Sequence, residues 1–191
     1  MNKQKIKSYL QSMVAVPLFV MAPLTGFTSI PSLIAINSGI TIDHSSVITS
    51  QEDTDRQNKA DVLDAYFASY DSPLEGYGMK FVTEAEKNDI DWRLLPAIAM
   101  RESTGGKNAC KKVSNSVFGY GSCKLSFKSI DESIEIVSAS LGGNNPNTAR
   151  HYAGKTTVQI LKKYNPDSII PGYSKQVIKI MKSIDDTDDI A

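Results

Sequence analysis

The sequence has 191 residues and a mass of 20.9 kDa, which is enough chain for one ordinary globular domain. Hydrophobic residues make up 41% and charged residues 22%, so the composition excludes a chain that is disordered throughout and a protein with many membrane spans. The formal net charge at pH 7 is zero, which excludes a uniformly basic or uniformly acidic protein.

The charges are unevenly distributed along the chain. Residues 101–182 contain thirteen Lys and Arg against five Asp and Glu, and acidic stretches flank this segment on both sides. A positive stretch attracts polyanions over long distances, and wall polymers with free carboxylates fit it as well as nucleic acid does. The alternative is a set of solvated lysines on the outer faces of helices.

The amino-terminal segment has the pattern of an export signal. Lys3, Lys5 and Lys7 precede a stretch without charged side chains, residues 8–42, which contains the apolar run MVAVPLFVMAPL at residues 13–24. A positive region followed by such a run is typical of a secretory signal, and a second apolar run at residues 30–40 makes an uncleaved membrane anchor the alternative. Residues 1–44 are therefore predicted to export the protein, to the outside, the cell wall or the outer face of the membrane.

The chain has two cysteines, Cys110 and Cys123, and they are close together in sequence. In an oxidising compartment such a pair predicts a disulfide. The sequence has no Cys-x-x-Cys motif and no further cluster of ligand residues, so no metal site is predicted.

The domain is predicted to begin after a polar linker. Residues 45–59 are polar and charged, as is typical of a segment between an export signal and a domain. Apolar residues at helical spacing then predict helices over residues 60–70 and roughly 77–88. A third predicted helix has Asp91 as its N-cap and ends before Gly105 and Gly106.

Three more helices are predicted in the second half of the chain. The fourth has an apolar seam at spacings of three and four, formed by Phe127, Ile130, Ile134, Val137 and Leu141. A short fifth helix begins after a cap at Thr156 or Thr157, and the last contains Tyr173, Val177, Ile180 and Ile184. No alternating run is long enough for a sheet, so the predicted fold is mostly α, with one domain at residues 60–184 and an acidic tail at residues 185–191.

The apolar stripe of the third helix ends in a carboxylate. Leu95, Ile98 and Ala99 occupy its first positions, and Glu102 follows one turn later, near the helix C-terminus. Partial desolvation and the negative end of the helix dipole both favour a protonated acid, which is the form that donates a proton to a glycosidic oxygen. On spacing alone, a Glu that binds loop amides or pairs with a basic residue such as Arg101 is the alternative.

Three segments follow one another in an informative order: IDWRLLPAIAMRESTGGK at residues 90–107, NSVFGYGSC at residues 115–123 and FKSIDESIEIVSASL at residues 127–141. They resemble the lysozyme-like superfamily, most closely its glucosaminidase-type and transglycosylase-type peptidoglycan hydrolases. Glu102 and Ser103 match the Glu-Ser pair that ends a helix in those families, and Asn115, Phe118 and Gly119 match their Asn-x-x-Phe-Gly loop. The resemblance covers roughly residues 77–184.

The resemblance implies a lysozyme-like catalytic domain in which Glu102 is the general acid and base. Its substrate would be the glycan strands of peptidoglycan, cut at β-1,4 bonds in the manner of an endo-β-N-acetylglucosaminidase, without a cofactor. Lytic transglycosylase or muramidase activity on the same polymer is an alternative, as is a non-catalytic wall-binding or scaffold module with this fold. No nucleic-acid-binding motif occurs, and contact with a membrane would come through the amino-terminal segment.

The resemblance also supplies candidate substrate contacts, which are Ser103, Asn115, Phe118, Tyr120, Tyr152 and Tyr173. Tyrosines at such positions stack on sugar rings or stabilise the charge that develops at the anomeric carbon. Standard glycoside hydrolysis needs a second carboxylate, and Asp131, beside the seam of the fourth helix, is the candidate. The superfamily often uses one essential Glu, with the N-acetyl group or a hydroxyl of the substrate completing the reaction.

Overall fold

The computed structural model describes residues 44–186, with side chains from Ser50 onward, and all of the regular structure in this part of the chain is helical. The elements in order are α1 (His44–Ala68), α2 (Gly78–Lys87), α3 (Leu94–Ser103), α4 (Ile130–Leu141), α5 (Ala149–Tyr152), α6 (Thr157–Tyr164) and α7 (Tyr173–Asp185). The prediction of a mostly α domain is therefore confirmed, while the export segment at residues 1–43 and the end of the acidic tail, residues 187–191, lie outside the described residues.

The first helix begins earlier than the sequence predicts. Residues 45–59, expected to be a linker, belong to α1, because side chains one turn apart pair along its exposed first half. The Lys59 ammonium lies 2.5 Å from Asp55, and Gln57 donates a 2.7 Å hydrogen bond to Asp61. Such pairs stabilise a helix without an apolar face, so a search for apolar spacing does not find it.

The start of α3 also differs from the prediction. Asp91 is not the N-cap, since the helix begins at Leu94 and Arg93 occupies the cap position. The Asp91 carboxylate instead accepts hydrogen bonds from the Arg93 backbone and guanidinium, and its carbonyl accepts one from the Leu94 N–H. Asp91 therefore closes the turn before the helix.

The remaining predicted helices are present with shifted ends. Ser129 caps α4, so this helix begins three residues later than predicted, and Thr156 caps α6 in a reciprocal capping box with Gln159. The four-residue helix α5 was not predicted, because it is too short to establish an apolar period. No helix among residues 44–186 combines the length and the apolar character that crossing a bilayer requires.

The core lies between α1, α2, α3, α4 and α7, where apolar side chains pack with almost no exposure. Phe81 of α2 packs against both α1 and the segment between α3 and α4. The centroid of its ring lies 5.6 Å from that of Phe67 on α1 and 6.3 Å from that of Phe118 in that segment. Such aromatic pairs stabilise a core beyond the area that they bury. This packing fixes the end of α3 and the segment that follows it.

Candidate active site

Glu102 lies in the last turn of α3 and is half-buried. The helix is anchored by Leu95, Ile98 and Ala99, which are almost completely buried, as the stripe predicts. The Tyr173 hydroxyl at the start of α7 donates a 2.7 Å hydrogen bond to Oε1 of Glu102. Oε1 of Glu102 is therefore held by a buried hydrogen-bond donor from the last helix, α7.

The second carboxyl oxygen lies beside the backbone of Gly119. A Cβ atom placed on Gly119 would lie 3.1 Å from Oε2 of Glu102, and the φ angle of Gly119 is +63°. Only glycine adopts this conformation without strain, and only glycine leaves this space for the carboxyl group. The predicted Phe-Gly loop therefore does contact the predicted acid.

Ser103 joins the end of α3 to this loop. Its buried hydroxyl lies 3.0 Å from the Ala99 carbonyl and 2.6 Å from the Val117 carbonyl, and it accepts a 2.7 Å hydrogen bond from the Gly106 N–H. Because the Ser103 hydroxyl makes its hydrogen bonds inside the protein, it holds the loop against the end of α3. Ser103 does not line the groove next to Glu102.

Asn115 and Phe118 are also structural in their observed contacts. The Asn115 side-chain amide donates a 2.9 Å hydrogen bond to the Phe127 carbonyl, and Asn115 itself has a φ of +54°. Phe118 is completely buried, and its carbonyl accepts a hydrogen bond from the Tyr164 hydroxyl. These residues shape the loop that carries Gly119 and Tyr120, and neither of them lines the groove beside Glu102.

A groove of about 760 Å³ opens beside Glu102. The segment between α3 and α4 forms one wall, and α5, α6 and the segment after α6 form the other. Its lining includes Glu102, Gly119, Tyr120, Cys123, Leu125, Thr148, His151, Tyr152, Tyr164, Asn165 and Ile169. Tyr120 and Tyr152, both predicted from the sequence, are thus brought to the groove that contains Glu102.

Three tyrosine rings are stacked from the groove to the core. The ring centroids of Tyr120 and Tyr164 are 6.2 Å apart, and those of Tyr164 and Tyr173 are 6.1 Å apart. Tyr173 is fully buried and reaches the groove only through its bond to Glu102. Tyr164 was not predicted from the sequence, although it lies between Tyr152 and Tyr173, which both were.

The phenols near Glu102 keep their protons at neutral pH. Burial raises the pKa of Tyr152 to about 12, and it raises the pKa of Tyr164 well above the usual value. Burial and the hydrogen bond to Glu102 also raise the pKa of Tyr173. Tyr173 therefore stays a hydrogen-bond donor to the carboxyl group throughout the physiological pH range.

Asp131 does not join this site. It is exposed in the first turn of α4, and its charge acts on Lys80, together with the charges of Glu84 and Glu135. Asp131 does not line the groove that contains Glu102, and it lies on the side of α4 near Lys80 of α2. Within the described part of the chain, Glu102 is the one carboxylate that lines the groove.

The predicted pairing of Cys110 and Cys123 is present, with the two sulfurs at bonding distance and a Cα–Cα distance of 5.8 Å. Cys123 lines the groove, two residues after Gly121. The link spans 13 residues of the segment that presents Gly119 and Tyr120. It therefore restrains the wall of the groove that contacts the carboxyl group.

His151 is a second groove residue that the sequence reasoning did not select. It is half-buried on α5, and the Arg150 guanidinium donates a 3.1 Å hydrogen bond to its Nε2. Burial and the positive charges of Lys163, Arg150 and Lys155 lower the pKa of His151. These charges favour the neutral imidazole, in which Nε2 accepts the Arg150 hydrogen bond and Nδ1 carries the proton.

No group of three or more His, Cys, Asp and Glu side chains in the described residues is arranged to hold a metal ion. The site is thus one carboxyl group, its tyrosine partner and an aromatic groove.

Comparison of this chain with models of protein families, with curated proteins and with solved structures found no match.

Proposed function

We propose that this protein is an exported, lysozyme-like enzyme that cleaves β-1,4 glycosidic bonds in the glycan strands of peptidoglycan, with Glu102 as general acid and base. The observation that carries the proposal is a single carboxyl group, held at Oε1 by Tyr173, in a groove lined by aromatic rings. The ordered sequence motifs around Glu102 support the same class of reaction.

The geometry leaves one oxygen of Glu102 for chemistry. Because Oε1 accepts the Tyr173 hydrogen bond, Oε2 is the atom that would carry the proton to the bridging oxygen of the substrate. As that oxygen takes the proton and leaves as an alcohol, the N-acetyl oxygen of the substrate bonds to the anomeric carbon, and the ionised carboxylate then removes a proton from the water molecule that opens this intermediate. General acid catalysis of this kind contributes roughly 100- to 10,000-fold in rate.

A mechanism with one carboxylate needs help from the substrate. Among the described residues, the groove lining holds no carboxylate besides Glu102, so none of them supplies a second carboxylate as nucleophile or base. Amino sugars carry an N-acetyl group that can attack the anomeric carbon, as in substrate-assisted hydrolysis. Within the proposal, strands of N-acetylglucosamine and N-acetylmuramic acid supply the missing nucleophile themselves.

Flat apolar surfaces next to the acid suit a carbohydrate. Tyr120, Tyr152 and Tyr164 line the groove, and Leu125 and Ile169 add exposed apolar surface at its edge. Sugar rings present C–H faces that pack on aromatic rings while their hydroxyl groups remain hydrated. A polymer could therefore lie along the groove with one glycosidic bond beside Glu102.

Replacement of Glu102 by Gln tests the proposal on purified peptidoglycan. We expect E102Q to lose at least about 100-fold in the release of soluble fragments, because the Gln amide keeps the size but is too weak an acid to protonate the leaving oxygen. The exposed Glu135 on α4 provides the control variant E135Q, which should digest like wild type. Equal rates for E102Q and wild type would disprove the catalytic assignment.

The products define which bond is cut. Mass spectrometry of the fragments distinguishes reducing glucosamine ends, reducing muramic acid ends and anhydro ends, so it separates a glucosaminidase from a muramidase or a lytic transglycosylase. We expect reducing glucosamine ends.

A second candidate is a wall-binding module without turnover. The bond between Tyr173 and Glu102 favours it, because a carboxylate that ties α7 to α3 has a structural use of its own. Wild-type protein that sediments with wall sacculi but releases no fragments would support this candidate over the enzyme.

A further inference from the structure

Tyr164 contacts the structures on both sides of the Glu102 carboxyl group. It is the last residue of α6, and its ring stacks on that of Tyr120 and on that of Tyr173, with centroid distances of 6.2 Å and 6.1 Å. Its hydroxyl group donates a hydrogen bond to the Phe118 carbonyl. One side chain from α6 therefore links the loop between α3 and α4 with the tyrosine that binds the carboxyl group.

The hydroxyl group restrains a peptide unit next to the carboxyl group. The Phe118 carbonyl and the Gly119 N–H belong to one planar peptide unit, so a donor bound to the carbonyl restrains the whole plane. Gly119 then lies so close to Glu102 that an added Cβ atom would be 3.1 Å from Oε2. In the described part of the chain, no second donor bonds to this carbonyl. The distance between the Gly119 backbone and Oε2 therefore depends on the Tyr164 hydroxyl.

The ring of Tyr164 restrains the donor on the other side of the carboxyl group. Tyr173 donates a 2.7 Å hydrogen bond to Oε1 of Glu102, and the planes of the Tyr164 and Tyr173 rings are 16° apart. The Arg101 guanidinium lies 5.8 Å from the centroid of the same Tyr173 ring. Both contacts limit the movement of that ring. The direction of the Tyr173 hydroxyl toward Oε1 therefore depends in part on Tyr164.

The Tyr164 hydroxyl is occupied and stays protonated. Burial, together with the charge of Glu102, raises the pKa of Tyr164 well above its usual value, so the group remains a donor at neutral pH. Its proton is directed at the Phe118 carbonyl, so it is not the proton that reaches a substrate. Any effect of this hydroxyl on the reaction therefore comes through the position of other groups.

We propose that Tyr164 is a positioning residue for Glu102. Its hydroxyl holds the Phe118–Gly119 peptide on the Oε2 side, and its ring holds Tyr173 on the Oε1 side. The inference rests on the proposed function for its effect on rate, while its effect on the surroundings of the carboxyl group is measurable without turnover. A tyrosine that only packs would stabilise the fold and leave the rate constant and the carboxyl surroundings unchanged.

The variant Y164F tests the hydroxyl, because it removes one oxygen and keeps the ring. The control is Y66F, since Tyr66 is also buried, its hydroxyl lies 3.3 Å from Oγ of Ser183, and it does not line the groove. On soluble, uncross-linked glycan strands we expect Y164F to lose at least about tenfold in kcat with KM within about twofold, because proton delivery depends on position. Y66F should stay within about twofold of wild type in both constants. Equal kcat values for the two variants would overturn the inference.

Combination with Gly119→Ala tests the route by which the hydroxyl acts. Both changes disturb the contact between the Gly119 backbone and Oε2, so their effects on kcat should not multiply. We expect Y164F/G119A to be at most about threefold slower than G119A alone. A further loss of about tenfold would show that the hydroxyl does not act through Gly119.

The variant Y164L tests the ring, because it removes the stacking surface as well as the hydroxyl. We expect it to lose about a further tenfold in kcat relative to Y164F, since Tyr173 is then less well held. Equal kcat values for Y164L and Y164F would contradict the part of the inference that concerns Tyr173.

NMR of the carboxyl group provides a readout that needs no turnover. The signal of the Glu102 carboxyl carbon can be assigned with E102Q, which removes it. In the free protein we expect this signal to shift in Y164F and to coincide with wild type in Y66F, because Tyr164 is linked to the groups around the carboxyl. An unmoved signal in Y164F would mean that Tyr164 does not position Glu102.

The inference and the proposed function fail differently. If wild-type protein releases fragments while Y164F matches Y66F in kcat and in the Glu102 signal, the inference is wrong and the enzyme remains. If no fragments appear but the Glu102 signal moves in Y164F and not in Y66F, Tyr164 positions the carboxyl group and the cleavage proposal is wrong.

Discussion

At the scale of single residues, the surroundings of Glu102 depend on a glycine. Gly119 places its backbone against Oε2 in a conformation with φ of +63°, while Tyr173 holds Oε1 from the other side. The carboxyl group is therefore positioned by the Tyr173 side chain and by the space that Gly119 leaves because it has no side chain. A substitution at either neighbour is expected to act through Glu102.

Gly119→Ala should reduce cleavage at least tenfold. The new Cβ atom would lie 3.1 Å from Oε2 of Glu102, so the carboxyl group must shift, and the positive φ adds strain of about 1 kcal/mol. The control is Gly76→Ala, which also has a positive φ but meets nothing within 4 Å.

Digestion rates of both variants report the crowding of Glu102 by the new Cβ atom, and urea unfolding reports the backbone strain from the positive φ. Both should lose similar stability, and only Gly119→Ala should lose activity. An active Gly119→Ala protein would mean that the contact with Glu102 is not important for the reaction.

The sequence was informative about residues on periodic faces and less so about loops. Leu95, Ile98 and Ala99 are buried and Glu102 reaches the groove, because position on a helix follows from spacing. Ser103 and Phe118 point inward for reasons that lie in distant hydrogen bonds and packing. Spacing carries no record of those contacts, so the sequence did not predict that Ser103 and Phe118 hold the loop.

At the scale of elements, the long segment between α3 and α4 is held by separate contacts and contains no helix. These contacts include the Cys110–Cys123 link, the Ser103 hydroxyl, the Asn115 amide and the buried Phe118, whose carbonyl accepts the Tyr164 hydrogen bond. Several of its residues have positive φ angles, including Asn115, Ser122 and Cys123. Loss of one restraint is therefore expected to affect the whole wall of the groove.

The double variant C110S/C123S should lose about 2 to 3 kcal/mol in the free energy of unfolding, because the unfolded chain is no longer restrained over the 13-residue separation. Urea unfolding measures this loss. Hydrogen exchange should accelerate at residues 104–129 more than in α4, and cleavage should fall as Gly119 and Tyr120 become less well positioned.

Reduced wild-type protein is the control for the cysteine variant, and it should match the variant in both measurements. Unchanged stability and exchange would indicate that the hydrogen bonds alone hold the loop.

Helices were predicted well where they have a buried face. The helices α2, α4, α6 and α7 bury residues at helical spacing, and their ends moved only by one to three residues. The first half of α1 has side chains paired along an exposed surface, and α5 has four residues. Neither segment has an apolar period, so the sequence predicted neither helix. Because α5 was not predicted, the groove residue His151 on it was not predicted either.

At the scale of the whole molecule, an ion-pair network joins the start of α3 to the end of α7. The Arg93 guanidinium contacts Asp91 at 2.6 Å and also pairs with Asp185. Glu102 lies in the last turn of α3, and α7 begins at Tyr173. The two helices are therefore joined at both ends, by the Arg93 ion pairs at one end and by the Tyr173–Glu102 hydrogen bond at the other.

Asp91→Asn should make stability less dependent on pH. Burial opposes ionisation of Asp91, but the Arg93 hydrogen bonds outweigh it and lower its pKa. The folded state therefore favours the charged carboxylate, and this contribution is complete above the unfolded pKa of about 3.9 and is lost as pH falls through the lower folded value. Asn keeps an acceptor for the Arg93 N–H, so the substitution removes mainly the charge.

Urea unfolding at pH 7 and pH 2 measures this effect. We expect D91N to be less stable than wild type by roughly 0.5 to 1 kcal/mol at pH 7, since the pair is partly exposed, and the difference to shrink at pH 2. Asp71→Asn, in an exposed turn after α1, is the control and should follow wild type at both values. A stability difference for D91N that persists at pH 2 would rule out charge as its cause.

The contacts of Ser103 affect how descendants of this protein would diverge. The hydroxyl is bonded to Ala99, Val117 and Gly106, and its neighbour Glu102 takes no part in those bonds. A lineage that abandons turnover but keeps the fold is free to replace the acid, while replacement of the serine would unfasten the loop. Such a lineage would preserve half of the Glu-Ser signature, and the surviving serine would then indicate shared architecture without shared chemistry.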